Sequence, residues 1–107
     1  MEITLDGKVA IVTGSSRGIG ASTAKKLAQA GADLVINYPF SEEKKNAQSV
    51  KSKIEEMGQN AIIVKGNVAE LDDALNLIEK ATNTYGKIDI LVNNAGVLSR
   101  HDFIDIP

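Results

Sequence analysis

The 107-residue chain has no cysteine, no tryptophan, one histidine and two prolines, and its aromatics amount to 4% of residues. Each shortage removes a class of answer. Without cysteine there is no disulfide framework and no thiol chemistry, a composition that suits the cytoplasm. A single histidine argues against a histidine-built metal site. No apolar run approaches the roughly 18 residues that cross a bilayer, and the N-terminus lacks the basic-then-apolar pattern of a secretory signal. Lys and Arg number 12 against 14 Asp and Glu, a net charge of −2, with both signs mixed along the chain. That leaves no basic patch for nucleic acid and no polybasic membrane anchor. With 43% apolar and 24% charged residues, the composition is globular rather than disordered. The length suits one domain spanning residues 1–107.

What is present is glycine in a pattern. Lys8 to Gly20 reads Lys-Val-Ala-Ile-Val-Thr-Gly-Ser-Ser-Arg-Gly-Ile-Gly. Val9 to Val12 is an unbroken apolar run, as expected of a strand buried on both faces. Glycines at 14, 18 and 20 follow, and a helical pattern begins at once, with Ile19, Thr23 and Leu27 on one face and Ala24 and Ala28 beside them. A strand that turns through glycines into a helix presents backbone N–H groups at a positive dipole end, where a phosphate binds. In that arrangement Gly14 makes the tight turn, Gly18 lets the backbone approach an anion, and Gly20 lets the helix pack close to its strand.

The rest of the chain repeats the strand–helix theme. Strands are expected at about 8–13, 33–37, 61–64 and 88–92, and helices at about 18–30, from Ser41 onward, and 70–85. Tyr38-Pro39-Phe40 breaks the second strand, since proline cannot continue a central ladder. Ser41 is an N-cap candidate, with Glu42 and Glu43 suited to the dipole in the first turn. The second helix carries Ala47, Val50, Ile54 and Met57 as its apolar stripe. The third places Leu71, Ala74, Leu75, Ile78 and Ala81 inward. Gly31, Gly58 and Gly86 close the helices 27 and 28 residues apart, the length of one βα unit. Alternating strands and helices require right-handed parallel crossovers, hence an α/β fold with a doubly wound parallel sheet. Residues 97–107 read as a loop.

In such a sheet a ligand lies off the carboxyl ends of the strands. The residues there are Gly14 to Gly20, Asn37-Tyr38, Asn67-Val68 and Asn93 to Gly96. Glycine and asparagine are favoured wherever a strand ends, so one such turn alone is ordinary. All four strands ending this way is not.

The spacing Thr13-Gly14-Ser15-Ser16-Arg17-Gly18-Ile19-Gly20, together with Asn93-Asn94-Ala95-Gly96, resembles the short-chain dehydrogenase/reductase family. The resemblance runs from about residue 6 to 96 and spans the first half of the family's usual length. It implies a truncated Rossmann-type fold of four strands and three helices in the order 3-2-1-4. It also implies a dinucleotide site built from Gly14, Ser15, Ser16, Arg17, Gly18, Ile19 and Gly20, with Asn37 and Tyr38 at the second strand end. Asn67 and Val68 would stand beside the adenine, and Asn94, Ala95 and Gly96 would pass the ribose. Asn67 replaces the family's commoner Asp, a mild change because an amide also hydrogen-bonds a base edge. An NAD site usually carries Asp or Glu near the second strand end to bind the ribose 2′-OH. Here Asn37 stands there without the charge that repels a 2′-phosphate, and Arg17 offers a guanidinium to one. The expected cofactor is therefore NADP(H) rather than NAD(H). Ser15-Ser16-Arg17-Gly18-Ile19-Gly20 and Asn37-Tyr38 are similar to 3-oxoacyl-carrier-protein reductases and related carbonyl and polyol reductases.

The family moves hydride between nicotinamide and a carbonyl or alcohol with a Tyr-x-x-x-Lys pair, a serine and a helical asparagine. Four residues after Tyr38 stands Glu42, and four after Tyr85 stands Asp89, so neither tyrosine makes the pair. No catalytic residue is assigned, and the chain by itself is expected to be inactive, although its intact parent would be an enzyme acting on a small carbonyl or alcohol. Tyr85 is expected to close its helix against the core. Ser99, Arg100, His101 and Asp102 are consecutive, and neighbours on a loop do not converge as a catalytic triad must. An alternative reading is a non-catalytic nucleotide-binding module or a partner-docking fragment. A methyltransferase is weakened by the missing acid after strand two, and a nucleotide triphosphatase by the lack of Gly-Lys-Ser/Thr after the turn. In the order 3-2-1-4 strand four is an edge, so Ile88, Ile90, Leu91 and Val92 would favour self-association or a homo-oligomer.

Overall fold

Val9–Val12 forms β1, and all four of its residues are buried, because it lies inside the sheet with helices packed on both faces. The computed structural model describes residues 4–94. After β1 come α1 (Gly18–Gln29), β2 (Asp33–Tyr38), a 3₁₀ turn (Ser41–Glu43), α2 (Lys44–Glu56), β3 (Ala61–Lys65), α3 (Leu71–Tyr85) and β4 (Ile90–Val92). The strands form one parallel sheet in the order β3-β2-β1-β4, the expected Rossmann-like arrangement. Val12 pairs with Ile36 on one side and Val92 on the other. β1 and β4 therefore end level, β2 and β3 run two residues further, and the loops that follow all four gather along one edge of the sheet.

Side-chain alternation along the strands divides the core in two. Ala10, Val12, Leu34 and Ile36 meet Ala24 and Ala28 of α1 and Ala47, Val50 and Ile54 of α2. Ile11, Val35 and Val64 meet Leu77 and Ala81 of α3. Ile11, Leu34, Ile36 and Ile54 are wholly buried, each worth roughly 2 kcal/mol of transfer free energy.

Three apolar stripes sit differently from the sequence expectation. In α1 the buried face is Gly20, Ala21, Ala24 and Ala28, while Ile19 is 76% exposed. Small residues bring this helix close to the sheet, Leu27 packs at the margin of that core, and Ile19 is turned to the surface. In α2, Ala47, Val50 and Ile54 are buried as expected, but Met57 is the C-cap and lies at the surface. Ser41 does not cap α2. It opens the 3₁₀ turn, and Glu43 stands at the N-cap without a side-chain capping bond. In α3 only Leu77 and Ala81 are buried, and Leu71, Leu75 and Ile78 are exposed. The apolar surface of α3 is wider than the strip that reaches the strands, and of its exposed residues Ile78 borders an open groove beside Leu91 of β4.

Candidate functional site

The β1–α1 turn begins with two glycines in the left-handed region, Gly14 at φ 61° and Gly18 at φ 63°, where a side chain would be strained. Arg17 occupies the N-cap in an extended conformation, no side chain caps α1, and its first turn holds no acidic residue. The leading N–H groups of the helix, which have no intrahelical partner, thus keep their positive end open to an anion. Gly20 serves closeness. A Cβ there would collide with the Gly14 carbonyl oxygen and come within 2.6 Å of Asn94 Nδ2. The turn, the start of the helix and the end of β4 are packed at backbone distance.

Buried polar groups hold this corner. Asn37, 1% exposed, accepts the Gly14 N–H at 3.0 Å through Oδ1. Its Nδ2 donates to the carbonyls of Val64 at 3.2 Å and Gly66 at 3.1 Å. Ser15 Oγ donates to Val12 O at 2.6 Å and accepts the Asn37 N–H at 3.0 Å. Thr13 Oγ1 accepts the Asn94 N–H at 2.8 Å and reaches Asn93 Oδ1 at 3.1 Å. Asn94 Nδ2 approaches Gly14 O at 3.4 Å. Tyr38 is buried in the core beneath α1 and α2. Ser15, Asn37 and Tyr38 therefore turn their side chains into the framework.

In front of that framework lies a cavity of about 470 Å³, lined by Gly14, Ser16, Arg17, Asn37, Asn67, Val68 and Asn94. Gly18, Ile19 and Gly20 form the adjoining start of α1. Ala95 and Gly96 lie outside the described residues, as do Ser99 to Asp102. Asn67 shapes its own loop, accepting the Ala69 N–H at 3.0 Å through Oδ1. Its backbone N–H donates to Asp73 Oδ2 at 2.8 Å.

Five further residues line the cavity: Pro39, Phe40, Glu43, Gly66 and Ala69. Phe40 is 60% exposed, an aromatic surface at the rim. Read as a strand breaker, the Pro39-Phe40 pair hid this role. Its signal was an aromatic placed straight after the proline that ends β2. Glu43 bends back from the 3₁₀ turn. Its Oε1 accepts from Ser16 Oγ at 3.1 Å and Asn46 Nδ2 at 3.1 Å and lies 3.7 Å from Arg17 Nε. The Asn46 amide foremost, then the Ser16 hydroxyl and the Arg17 charge, hold its carboxyl below the usual range and outweigh the opposing effect of burial. Nothing in the local sequence separates Glu43 from Glu42, and only the turn of the chain does.

Tyr85 is far from this cleft. Its hydroxyl donates to Leu34 O at 3.2 Å. Burial first, then the charges of Asp33 and Glu55, push its pKa up to about 12. A phenol held neutral in this way is a structural group and not a proton donor in waiting.

Known proteins share this architecture. The short chain dehydrogenase family model matches residues 8–107. The chain belongs to the short-chain dehydrogenase family. It is 48% identical over 103 residues to an L-rhamnose 1-dehydrogenase (NAD(P)(+)) of Sphingomonas sp., covering 96% of this chain and 40% of that protein. It is 41% identical over 96 residues to the tetrahydroxynaphthalene reductase of Pyricularia oryzae, covering 90% of this chain and 33% of that one. Among solved structures, a dehydrogenase/reductase of Sinorhizobium meliloti superposes with a TM-score of 0.84 at 35% identity, over 98% of this chain and 44% of its own. A Burkholderia cenocepacia protein solved with bound NADP gives 0.81 at 26% identity, over 87% and 36%. This family member thus spans well under half the length of these relatives. Among its described residues no helix is long and apolar enough to cross a membrane.

Proposed function

We propose that residues 1–107 are one domain, the cofactor-binding part of an NADP(H)-dependent short-chain oxidoreductase. The intact enzyme would transfer hydride between nicotinamide and a carbonyl or alcohol carbon of a small molecule. The observation that carries this reading is the open N-terminus of α1, uncapped and free of first-turn acids, beside a glycine whose missing Cβ keeps the corner tight. That geometry suits a pyrophosphate held by main-chain amides.

The cleft supplies the remaining contacts. Phe40 and Val68 offer apolar surfaces to a base, and Asn67 Nδ2 can donate to its edge. Among the described residues that line the cleft, Arg17, with its side chain 78% exposed, offers a cation to a 2′-phosphate. Ala95 and Gly96 enter the site by the family resemblance. The relatives support a nicotinamide nucleotide, since one is named for NAD(P)(+) and one was solved with NADP. When bound, the nicotinamide supplies or accepts the hydride. The proton-transfer residues are expected outside this chain, because neither Tyr38 nor Tyr85 is followed by lysine at the fourth position. The chain alone is therefore expected to bind cofactor and not to turn over substrate. The absence of cysteine favours the cytoplasm as its location. The exposed side chains of Leu75, Ile78 and Leu91 favour an associating surface along α3 and β4.

Titration of the chain with NADPH and NADH at one fixed salt concentration tests the reading. NADPH is expected to bind more tightly, with shifts concentrated at Gly14 to Gly20. Tighter NADH binding overturns the NADP(H) assignment, and nucleotide contacts elsewhere on the surface overturn the site.

A further inference from the structure

Among the described residues, Arg17 and Glu43 are the two charged ones that line the cleft, and they lie against each other. The strand end that usually discriminates at the ribose is occupied differently here. Asn37 spends its amide on Gly14, Val64 and Gly66, and Tyr38 is in the core. Neither side chain is free to meet a 2′ substituent. Glu43, the last residue of the 3₁₀ turn, lines the same cavity as Asn37.

We infer that Glu43 is the specificity-determining residue at the 2′ position of the nucleotide. Its carboxylate competes with a 2′-phosphate for Arg17 and Ser16, and it accepts a hydrogen bond from a free 2′-hydroxyl. The inference rests on the cofactor reading above and adds to it a counterweight to Arg17. Three points support it. The Glu43 side chain is 14% exposed while that of Arg17 is 78% exposed, so the carboxylate is the held partner and the guanidinium the movable one. The Ser16 and Arg17 contacts converge with that of Asn46 on Oε1, which leaves Oε2 for a donor from the ligand. A 2′-phosphate entering this spot meets an ionised carboxylate at short range, and like charges at such distances repel by more than a surface ion pair returns.

Glu43 thus pulls the cleft away from strict NADP(H) use toward tolerance of both nucleotides, while Arg17 pulls the other way. Removing the carboxylate charge should sharpen the preference for the phosphorylated nucleotide.

The test uses adenosine 2′,5′-bisphosphate and 5′-AMP as probes, with Kd measured by calorimetry on the full 107-residue chain at low fixed salt. Glu43→Gln is expected to shift the ratio of the two Kd values by roughly tenfold in favour of the bisphosphate. Glu43→Ala, which removes the charge without leaving an amide to disturb the turn, should shift it the same way. Glu42→Gln deletes the same net charge from an exposed neighbour outside the cavity and should leave the ratio within about twofold. An unchanged ratio in both Glu43 variants overturns the inference, as does an equal shift in Glu42→Gln. If neither probe binds the unmodified chain, the cofactor reading falls and Glu43 falls with it. If both bind and the ratio does not move, only the role of Glu43 is lost.

Discussion

The Asn37 side chain joins three strand ends: it accepts the Gly14 N–H at 3.0 Å and donates to Val64 O and Gly66 O. The glycine turn after β1 is thereby fixed relative to β2 and β3. Each of these atoms requires the amide. A carboxylate would keep the acceptor for Gly14 and lose both donors, placing negative oxygens against two carbonyls in a buried site.

Asn37→Asp is therefore expected to destabilise the fold by about 2–4 kcal/mol. It should not convert the cleft to an NAD-selective one, although an acid at this strand end usually has that effect. Urea unfolding reads the stability and nucleotide titration reads the selectivity. A variant of normal stability with tighter NADH binding would show the strand end to be accessible to the ribose.

Gly20→Ala should improve helix propensity by about 1 kcal/mol and still lose overall. The new methyl meets the Gly14 carbonyl and Asn94, so α1 must move from β1 at a cost of about 1–3 kcal/mol. Affinity for NADPH should fall by more than about tenfold, because the helix N-terminus shifts with the helix. Unchanged affinity with full stability would count against the close packing of this corner.

Tyr85→Phe tests the alkaline limb of stability. Folding raises the Tyr85 pKa from 10.0 to about 12, so the neutral phenol is the form that the fold favours. Its contribution is complete below pH 10 and is lost as pH rises through about 12. Thermal melts of the parent chain should decline across that window, and Tyr85→Phe should flatten the decline. At pH 7 the variant should lose about 0.5–1.5 kcal/mol with the Leu34 hydrogen bond.

The α3–β4 side is expected to drive self-association. Leu71, Leu75, Ile78 and Leu91 expose apolar surface there, and among the described residues β4 pairs with β1 and with no second strand. An edge strand with apolar side chains is a template for pairing. Sedimentation should show species larger than a monomer at micromolar concentration, and Leu75→Glu combined with Leu91→Lys should return the chain toward monomer. A monomeric parent chain would remove this expectation.

The parallel direction of the strands was legible in the residues, because Val9 to Val12 and Leu34 to Ile36 are apolar without alternation and glycines close the units 27 and 28 residues apart. Their order 3-2-1-4 came only from the family resemblance. The glycine turn after β1 was legible too, since Gly14 and Gly18 take the left-handed conformation that glycine favours. Helix faces were less so. Leu71, Leu75 and Ile78 form as good a stripe as Ala74, Leu77 and Ala81, and periodicity cannot say which of two adjacent stripes a sheet will cover.

Sequence by itself determined the strands, the helices and the glycine corner between β1 and α1, all of which follow from local conformation and the burial of apolar runs. Tertiary structure alone decided that Asn37 and Ser15 face inward, that Glu43 and not Glu42 reaches Arg17, and that Phe40 rims the cleft. Those outcomes depend on which way a short turn swings its side chains relative to residues more than twenty positions away, and nearest-neighbour chemistry carries no record of that direction.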